Sequence, residues 1–233
     1  MDFVFIADVF PKLLAGLPLT LSLAVLSLAG GALIALLLSG LRSTSWVGAQ
    51  VVNFYVYIFR GTPLLIQIFL IYYGLAQFPA VRHSLLWPLL REPYVCAVLA
   101  LMLNDAAYTS EILRGGLRAV SKGALEAAKV SGMSRVTLLR RIVLPLAIRQ
   151  ALPAYGVEVT SMVKATSLAS VVTLMEVTGV ARAEVSQSYR AIEVFLCAAV
   201  IYLVLVTVIA RAVHLLEVRL TPYRSPALAR SPA

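Results

Sequence analysis

Residues 13–41, LLAGLPLTLSLAVLSLAGGALIALLLSGL, form a run of 29 residues in which no side chain carries a charge. At about 1.5 Å per residue, a helix of this length exceeds the hydrocarbon thickness of a bilayer, which is about 30 Å. The run is also too long for the apolar core of a signal peptide. We therefore predict that this stretch spans a membrane.

The composition of the whole chain agrees with a membrane protein. Of its 233 residues, 61% are hydrophobic and 13% are charged, whereas soluble domains have about 45–50% apolar and about 25% charged residues. A larger core does not explain the excess, because a chain of this size must expose much of its surface. High apolarity with low charge also excludes a disordered protein. Cys96 and Cys197 both lie in apolar stretches and cannot form a disulfide framework.

Further apolar segments bring the number of predicted spans to five. Residues 61–81 and 194–210 carry no charge, and two other apolar segments contain internal charges. We predict an all-α, polytopic membrane protein with five transmembrane helices at about 13–41, 55–79, 94–114, 150–174 and 194–216. These spans form a single domain over residues 1–219. The Pro- and Ser-rich residues 220–233 are expected to be a flexible cytoplasmic tail.

The distribution of basic residues predicts the orientation in the membrane. Lys and Arg are enriched in cytoplasmic loops of membrane proteins. If the N-terminus lies outside, thirteen of the twenty Lys and Arg residues fall on the inner side, eight of them between the third and fourth spans. Topology then explains much of the net charge of +9. We expect an outer N-terminus and a cytoplasmic C-terminus.

The basic loop between the third and fourth spans has the pattern of two short helices joined by a glycine. It reads SKGALEAAKVSGMSRVTLLRRIVLPLAIRQ over residues 121–150. Ser121 and Ser134 are suited to cap the two helices, and Gly132 to end the first in a left-handed conformation. Pro145 is expected to stop or kink the second. A DNA-binding helix-turn-helix has a similar pattern, but two adjoining spans leave no domain to enter a groove, so we expect no nucleic-acid partner.

Within this loop, the sequence resembles the EAA loop of ABC-importer permeases. The matching residues, at the usual spacing, are Glu126, Ala127, Ala128, Gly132, Ile142, Leu144 and Pro145. The resemblance implies that the loop, residues 119–148, carries a coupling helix seated in a groove of a cytoplasmic ATPase. Glu126 would help to fix that helix, and Gly132 would allow the turn. Closure of the ATPase dimer on ATP would then move the helix as a lever.

The resemblance extends over most of the chain to the polar-amino-acid branch of these permeases, which includes the histidine, arginine and opine systems. It is carried by Arg60-Gly61-Thr62-Pro63 with Gln67, by Asn104 with Ala107-Tyr108-Thr109 and Glu111, and by Lys164-Ala165-Thr166-Ser167-Leu168. The run IYYGLAQFPAVRHSLLWPLLR at 71–91 resembles opine permeases of the octopine and nopaline type. The resemblance implies the transmembrane domain of a type I ABC importer, in a bacterial inner membrane.

The same resemblance implies the partners. These are a cytoplasmic ABC ATPase dimer that binds ATP and Mg, a second like or identical permease subunit, a periplasmic solute-binding protein, and membrane lipid. The chain itself has no G-x-x-x-x-G-K-[ST] motif for ATP phosphates, and its two histidines are far apart. We therefore expect no cofactor, metal site or catalytic residue in this chain, and no enzymatic activity.

The motif Arg60-Gly61-Thr62-Pro63 predicts a break in the second span. Pro63 suits the first position of a helix, with Thr62 as its N-cap. A half-helix that begins there would offer backbone N–H groups to a carboxylate. The alternative is a kink that only sets helix packing, and the sequence leaves both possibilities open.

The third span carries a polar stripe. Asn104, Tyr108 and Glu111 share one helix face, whereas Asp105 points about 100° away, towards the side of Thr109. An ionisable group at the bilayer centre costs roughly 2.5–3.5 kcal/mol, so such residues should face a protein interior or a wet pathway.

The fourth span carries Glu158 and a second stripe of Thr160, Lys164 and Ser167. Glu158 and Lys164 are about 240° apart on a straight helix and cannot pair within it. We predict that these faces line a translocation pathway, in which Glu111 or Glu158 receives a cationic substrate group. The candidate residues are Arg60, Thr62, Asn104, Asp105, Tyr108, Glu111, Glu158, Lys164, Thr166 and Ser167.

Two alternatives remain for these residues and two for the whole chain. The stripes are also explained by hydrogen bonds between membrane helices, and Glu111 by a position at a span end beside Arg114. Instead of an ATP-driven importer of polar amino acids or opines, the chain is alternatively a subunit of an ion-gradient-driven secondary transporter or channel. Such transporters usually contain inverted repeats, and none is evident. An assembly factor without a transport role is the other alternative.

Overall fold

The computed structural model describes residues 2–220, and every regular element in that range is a helix. The helices are α1 (Phe3–Leu14), α2 (Leu17–Thr44), α3 (Trp46–Gly61), α4 (Leu64–Phe69), α5 (Pro79–Arg82), α6 (Trp87–Leu90), α7 (Pro93–Arg118), α8 (Lys122–Val130), α9 (Arg135–Leu138), α10 (Leu144–Ala165), α11 (Val177–Ser188) and α12 (Ala191–Leu220). Three continue in other helical forms: α4 as a π-helix over Leu70–Gly74, α9 as a π-helix over Leu139–Val143, and α10 as a 3₁₀-helix over Thr166–Val172.

The described helices confirm an all-α chain with up to five spans. Four segments are long and apolar enough to cross a bilayer: Phe3–Thr44, Pro93–Arg118, Arg135–Val172 and Ala191–Leu220. The fifth is the pair Trp46–Gly61 and Leu64–Gly74, which is bent by 104°. The predicted tail, 220–233, lies outside the described residues except for Leu220, which ends α12.

A short helix precedes the charge-free run that predicts the first span. α1 begins at Phe3, and its N-cap Asp2 accepts hydrogen bonds from the backbone N–H groups of Val4 and Phe5. The turn between α1 and α2 contains Gly16. A Cβ at that position would lie 2.7 Å from the backbone of Glu176, so the turn packs directly against the segment that precedes α11.

The helix α7 is the centre of the bundle and packs against α2, α3, α4 and α10. The core around it contains the buried side chains of Leu23, Ile68, Leu101 and Met162. Gly31 lets α2 approach α7 closely, because a Cβ there would lie 2.8 Å from the Cβ of Asp105. A second buried cluster, with Val9, Leu13, Val177, Ala181 and Val194 among its members, joins α1, α11 and α12.

The loop between α7 and α10 forms the two predicted helical segments. The hydroxyl of Ser121 accepts from the backbone N–H of Ala124, and that of Ser134 accepts from Thr137. Gly132 has φ of +73°, as expected for a glycine that ends a helix. Of the two outcomes expected at Pro145, a stop or a kink, the stop is wrong. The chain stays helical from Arg135 to Val172, because the π-helix immediately before α10 accommodates a proline that lacks an N–H group.

Two glycines of α2 provide a test of the close packing between α2 and α7. Gly31→Ala should lower Tm in detergent, since overpacking typically costs about 1–3 kcal/mol. The control is Gly40→Ala on the same helix, where an added Cβ has nothing within 4 Å. The control should keep or slightly raise Tm, because alanine favours a helix more than glycine does. Equal Tm values for the two variants would contradict this packing.

Candidate translocation site

The site is built around the break between α3 and α4. The 104° bend removes the helical partners of backbone carbonyls at the end of α3. The Gln67 amide donates to the carbonyl oxygens of Phe59 and Thr62 at 2.9 and 3.1 Å. The Asn104 amide donates to Phe59 O at 3.1 Å and to Gln67 Oε1 at 3.0 Å. Two buried amides therefore satisfy the broken end and connect it to α7.

The structure corrects the predicted cap at this break. Thr62 is not the N-cap of the following helix, because Pro63 occupies that position and α4 begins at Leu64. The Thr62 hydroxyl instead donates to Ile58 O at 2.8 Å, at the end of α3. Arg60 and the three residues that follow it are exposed on a single chain. Non-helical backbone at membrane depth persists only where protein covers it or where it lines a water-filled cavity.

Two cavities lie beside the break. The first has a volume of about 400 Å³ and is lined by residues that include Thr62, Asn104, Tyr108, Glu158, Ser161 and Met162; we name it the Glu158 cavity. The second has a volume of about 330 Å³ and is lined by residues that include Arg60, Tyr108, Glu111, Gly116, Gln150 and Ala154; we name it the Glu111 cavity. Tyr108 lines both.

Glu158 offers an open carboxylate in its cavity. The side chain is half-buried. Within residues 2–220 it has neither a hydrogen bond nor an ion pair, although the positive charge of Arg60 is near enough to act on it. A carboxylate in an apolar setting is costly unless a cation accompanies it. The arrangement is therefore suited to receive a positively charged group.

Glu111, the other candidate acid, is already paired. Arg42 Nη1 lies 2.7 Å from Glu111 Oε1, and Arg114 contacts the other carboxylate oxygen. Arg42 also donates to Asn53 Oδ1 at 2.8 Å. Glu111 thus lies between two arginines near the end of a span. One sequence-based alternative predicted its position beside Arg114. The contact with Arg42 was not predicted, although Arg42 and Glu111 both lie near span ends on the side of the basic loop.

Asp105 is separated from both cavities. It is fully buried, and Thr109 Oγ1 donates to its Oδ2 at 3.3 Å, which confirms the expected pairing with the Thr109 side of α7. Its carboxylate packs against Gly31 of α2. In this structure it contacts neighbouring helices rather than open space.

The second polar stripe does not line the Glu158 cavity in a single chain. Lys164 is exposed. The hydroxyls of Thr160, Thr166 and Ser167 each donate to the carbonyl three residues earlier in the chain. The α10 residues in the cavity wall are instead Glu158, Ser161, Met162 and Ala165, which lie on a different helix face. The sequence predicted a polar face on this helix but not which face meets the cavity.

Gln67 is the residue that the candidate list lacked. It is buried, and its amide makes more hydrogen bonds to the break than any other side chain among residues 2–220. Its position four residues after Pro63 is the signal that could have identified it, because one helical turn returns it to the broken end.

The loop residues expected to couple to an ATPase form an exposed, partly apolar tip. Glu126 and Ala127 are exposed, whereas Ala128 is buried. Farther along, Leu144 is exposed, and Ile142 and Pro145 are half-buried. The tip also presents Val130 and Val136, which are 89% and 65% exposed. Both valines are therefore open to contact from outside the chain.

Comparison with known proteins gives consistent matches. Residues 27–222 match the family described as the binding-protein-dependent transport system inner membrane component. The chain is 55% identical over 224 residues to the octopine transport system permease protein of Rhizobium radiobacter, covering 96% of this chain and 91% of that protein. It is 51% identical over 225 residues to the nopaline transport system permease protein of Agrobacterium fabrum, with coverage of 96% and 93%.

A solved structure has the same architecture. The crystal structure of an amino acid ABC transporter with histidines matches with a TM-score of 0.84 and 33% identity, over 94% of this chain and 99% of that chain. This agreement confirms the expected transmembrane domain of a type I importer.

The amide contacts at the break lead to a stability prediction. Gln67→Leu should lower Tm, because it removes the donor to Thr62 O, one of the two donors to Phe59 O and the acceptor of the Asn104 amide; a buried unsatisfied group costs about 1–3 kcal/mol. The control is Gln77→Leu, the same change at an exposed position, which should leave Tm within about a degree. If both variants melted at the wild-type temperature, the amides would not stabilise the break.

Proposed function

Because the chain belongs to the family of binding-protein-dependent transport system inner membrane components, in its polar-amino-acid and opine branch, we propose that it forms the pathway for basic amino acids or opines of the octopine or nopaline type. The chain is a multi-pass permease subunit of an inner-membrane ABC importer, as predicted, and not an enzyme.

The unpaired carboxylate of Glu158 is the observation that favours a cationic substrate. Among the two candidate acids, Glu111 is paired with Arg42 and Arg114, whereas Glu158 faces its cavity without a salt bridge. Asn104 and Tyr108 line the same cavity and add polar groups that orient a ligand. A cationic amino acid or opine would place its positive group on Glu158, in a cavity that Thr62 also lines.

A second permease subunit, like or identical, completes the pathway. Arg60 and the non-helical residues after it are exposed on the single chain, in the middle of a bent span. A charged side chain and open backbone at that depth require protein or water beside them. Five spans alone do not enclose such a path, and Lys164 on the neighbouring exposed face then faces the partner subunit or the pathway.

Coupling to a cytoplasmic ATPase dimer, which binds ATP and Mg, occurs through the loop 119–148. Glu126 on α8 and the exposed Val130 and Val136 present charge and apolar surface together. The left-handed Gly132 turns the chain between the two helices. The helical segment from Arg135 to Val172 connects this loop directly to Glu158. Movement of the tip therefore reaches the cavity.

The same arrangement supports an outer N-terminus and a cytoplasmic C-terminus. The basic loop and the Arg42–Glu111–Arg114 cluster lie at one end of the bundle, where α2 and α7 end. Trp46, which is 76% exposed, follows at the start of α3 and suits the membrane interface. A periplasmic solute-binding protein delivers the substrate at the opposite end.

The substrate site is tested by Glu158→Gln in the assembled importer in proteoliposomes. Loss of one partner of a buried charge pair costs about 2–5 kcal/mol, so KM for arginine or octopine should rise at least about tenfold, since 1.4 kcal/mol is a factor of ten. The control is Glu92→Gln at an exposed position, which should transport normally. Unchanged uptake by the Glu158 variant would remove this residue from the site.

The coupling loop is tested by Val130→Asp. The charge should prevent docking of the apolar tip, so an ATPase that co-purifies with the wild-type chain should be lost together with ATP-dependent uptake. The control is Leu85→Asp, which places the same charge at a fully exposed apolar residue outside the loop and should retain the ATPase. Uptake that persisted in proteoliposomes without ATP would instead favour a gradient-driven transporter or channel.

A further inference from the structure

Tyr108 lies at the boundary between the Glu158 cavity and the Glu111 cavity. It is half-buried and is shared by the walls of both. The Glu111 cavity contains Gly116, near the end of α7, and Gln150, in the second turn of α10, and thus lies on the side of the basic loop. Glu158 is about 12 Å farther along α10 from Gln150, at a rise of 1.5 Å per residue. A solute that passes from Glu158 towards the loop therefore passes Tyr108.

The guanidinium of Arg60 covers this ring. Arg60 Cζ lies 4.9 Å from the centroid of Tyr108, within the distance of a cation–π interaction, which is strengthened where water is excluded. Arg60 lines the Glu111 cavity and not the Glu158 cavity. The cation therefore lies on the side of the ring through which a solute would leave.

Arg60 is held by the ring and not by an acid. Its charge acts on Glu158, yet no ion pair joins the two residues within the described chain, and Glu111 is already occupied by Arg42 and Arg114. The stacked guanidinium thus leaves Glu158 open to a ligand. It also places a positive charge in front of any cation that would move from Glu158 towards the loop.

The position of Arg60 in the chain allows this contact to be broken. It lies in the last turn of α3, one residue before the helix ends at Gly61. An added Cβ at the neighbouring Gly61 would have nothing within 4 Å, and the Arg60 side chain is exposed. The backbone of α3 is held on the central helix α7, because Phe59 O accepts from Asn104. Rotation of the Arg60 side chain, a motion open to exposed side chains, would therefore lift the guanidinium from the ring of Tyr108 without breaking that bond.

We propose that Arg60 stacked on Tyr108 is an inner gate, which closes the Glu158 cavity towards the cytoplasmic loop and opens when the Arg60 side chain leaves the ring. The inference rests on the proposed function, to which it adds the control of passage. Both residues act as gating residues: Tyr108 provides the ring that anchors the cation, and Arg60 provides the steric and electrostatic barrier. The hydroxyl of Tyr108 makes no hydrogen bond within residues 2–220, so the gate requires the ring and not the hydroxyl.

The test measures access to each cavity from the loop side. Ser161→Cys places a thiol in the Glu158 cavity, and Ala154→Cys places one in the Glu111 cavity. The assembled, nucleotide-free importer in inside-out membrane vesicles is treated with a permanently cationic, membrane-impermeant methanethiosulfonate. A sample without introduced thiols corrects for Cys96 and Cys197, which are buried. With the native gate, the thiol at position 154 should react at least about tenfold faster than the thiol at position 161.

Variants of Tyr108 and Arg60 then distinguish the role of the tyrosine ring from that of its hydroxyl. Tyr108→Leu and Arg60→Gln should each raise the rate at position 161 relative to position 154 by about tenfold, and the double variant should raise it no further. Tyr108→Phe and Arg60→Lys preserve a cation on a ring, and their ratios should stay within about twofold of the native value. The gate would be overturned if Tyr108→Leu and Arg60→Gln left the ratio of the labelling rates at positions 161 and 154 unchanged, or accelerated both positions equally. It would also be overturned if Tyr108→Phe raised this ratio.

These measurements are independent of transport. Labelling requires neither substrate nor ATP, so a failed gate would leave the effect of Glu158→Gln on uptake untouched. A failed substrate site would, in the same way, leave the labelling ratios unchanged. The two proposals therefore fail separately.

Discussion

The hydrogen bonds that Gln67 and Asn104 donate to Phe59 O hold together the part of the bundle on which the candidate site depends. Lipid offers no donors to carbonyls freed by a bend, so these must be satisfied within the protein. The two amides do so from different helices, α4 and α7, and thereby fix both against the end of α3. This junction places Arg60 over Tyr108 and leaves open space beside Glu158.

Three acidic residues lie within apolar spans, and the cost of burying each charge is offset in a different way. Glu111 is compensated by two arginines. Asp105 is buried against Gly31 and accepts from the hydroxyl of Thr109, with no cation beside it among the described ion pairs. Glu158 alone of the three faces a cavity without a partner side chain. The sequence identifies all three as unusual, and only their surroundings distinguish a helix contact from a candidate binding group.

The local features of the coupling loop follow directly from its sequence, because capping depends on near neighbours. Ser121, Ser134 and Gly132 all behave as their residue types predict. Thr62 does not, and Pro145 does not stop the helix. The effect of the proline is absorbed by the π-helix before α10, and Thr62 caps the end of one helix rather than the start of the next. At both positions the observed helix boundary depends on residues beyond the immediate sequence neighbours, such as Gln67, which donates to Thr62.

The amino-acid sequence by itself determined that this protein lies in a membrane, that its fold is all-α, and which loop resembles a coupling element. These depend on the length of apolar runs and on residue spacing, which are properties of the chain. Only the tertiary structure decided that Arg42 reaches Glu111, that Lys164 lies outside the Glu158 cavity, and that Arg60 covers Tyr108. Each of these depends on the rotation of one helix against another, which is set by side-chain packing across the bundle and not by any periodicity within one helix.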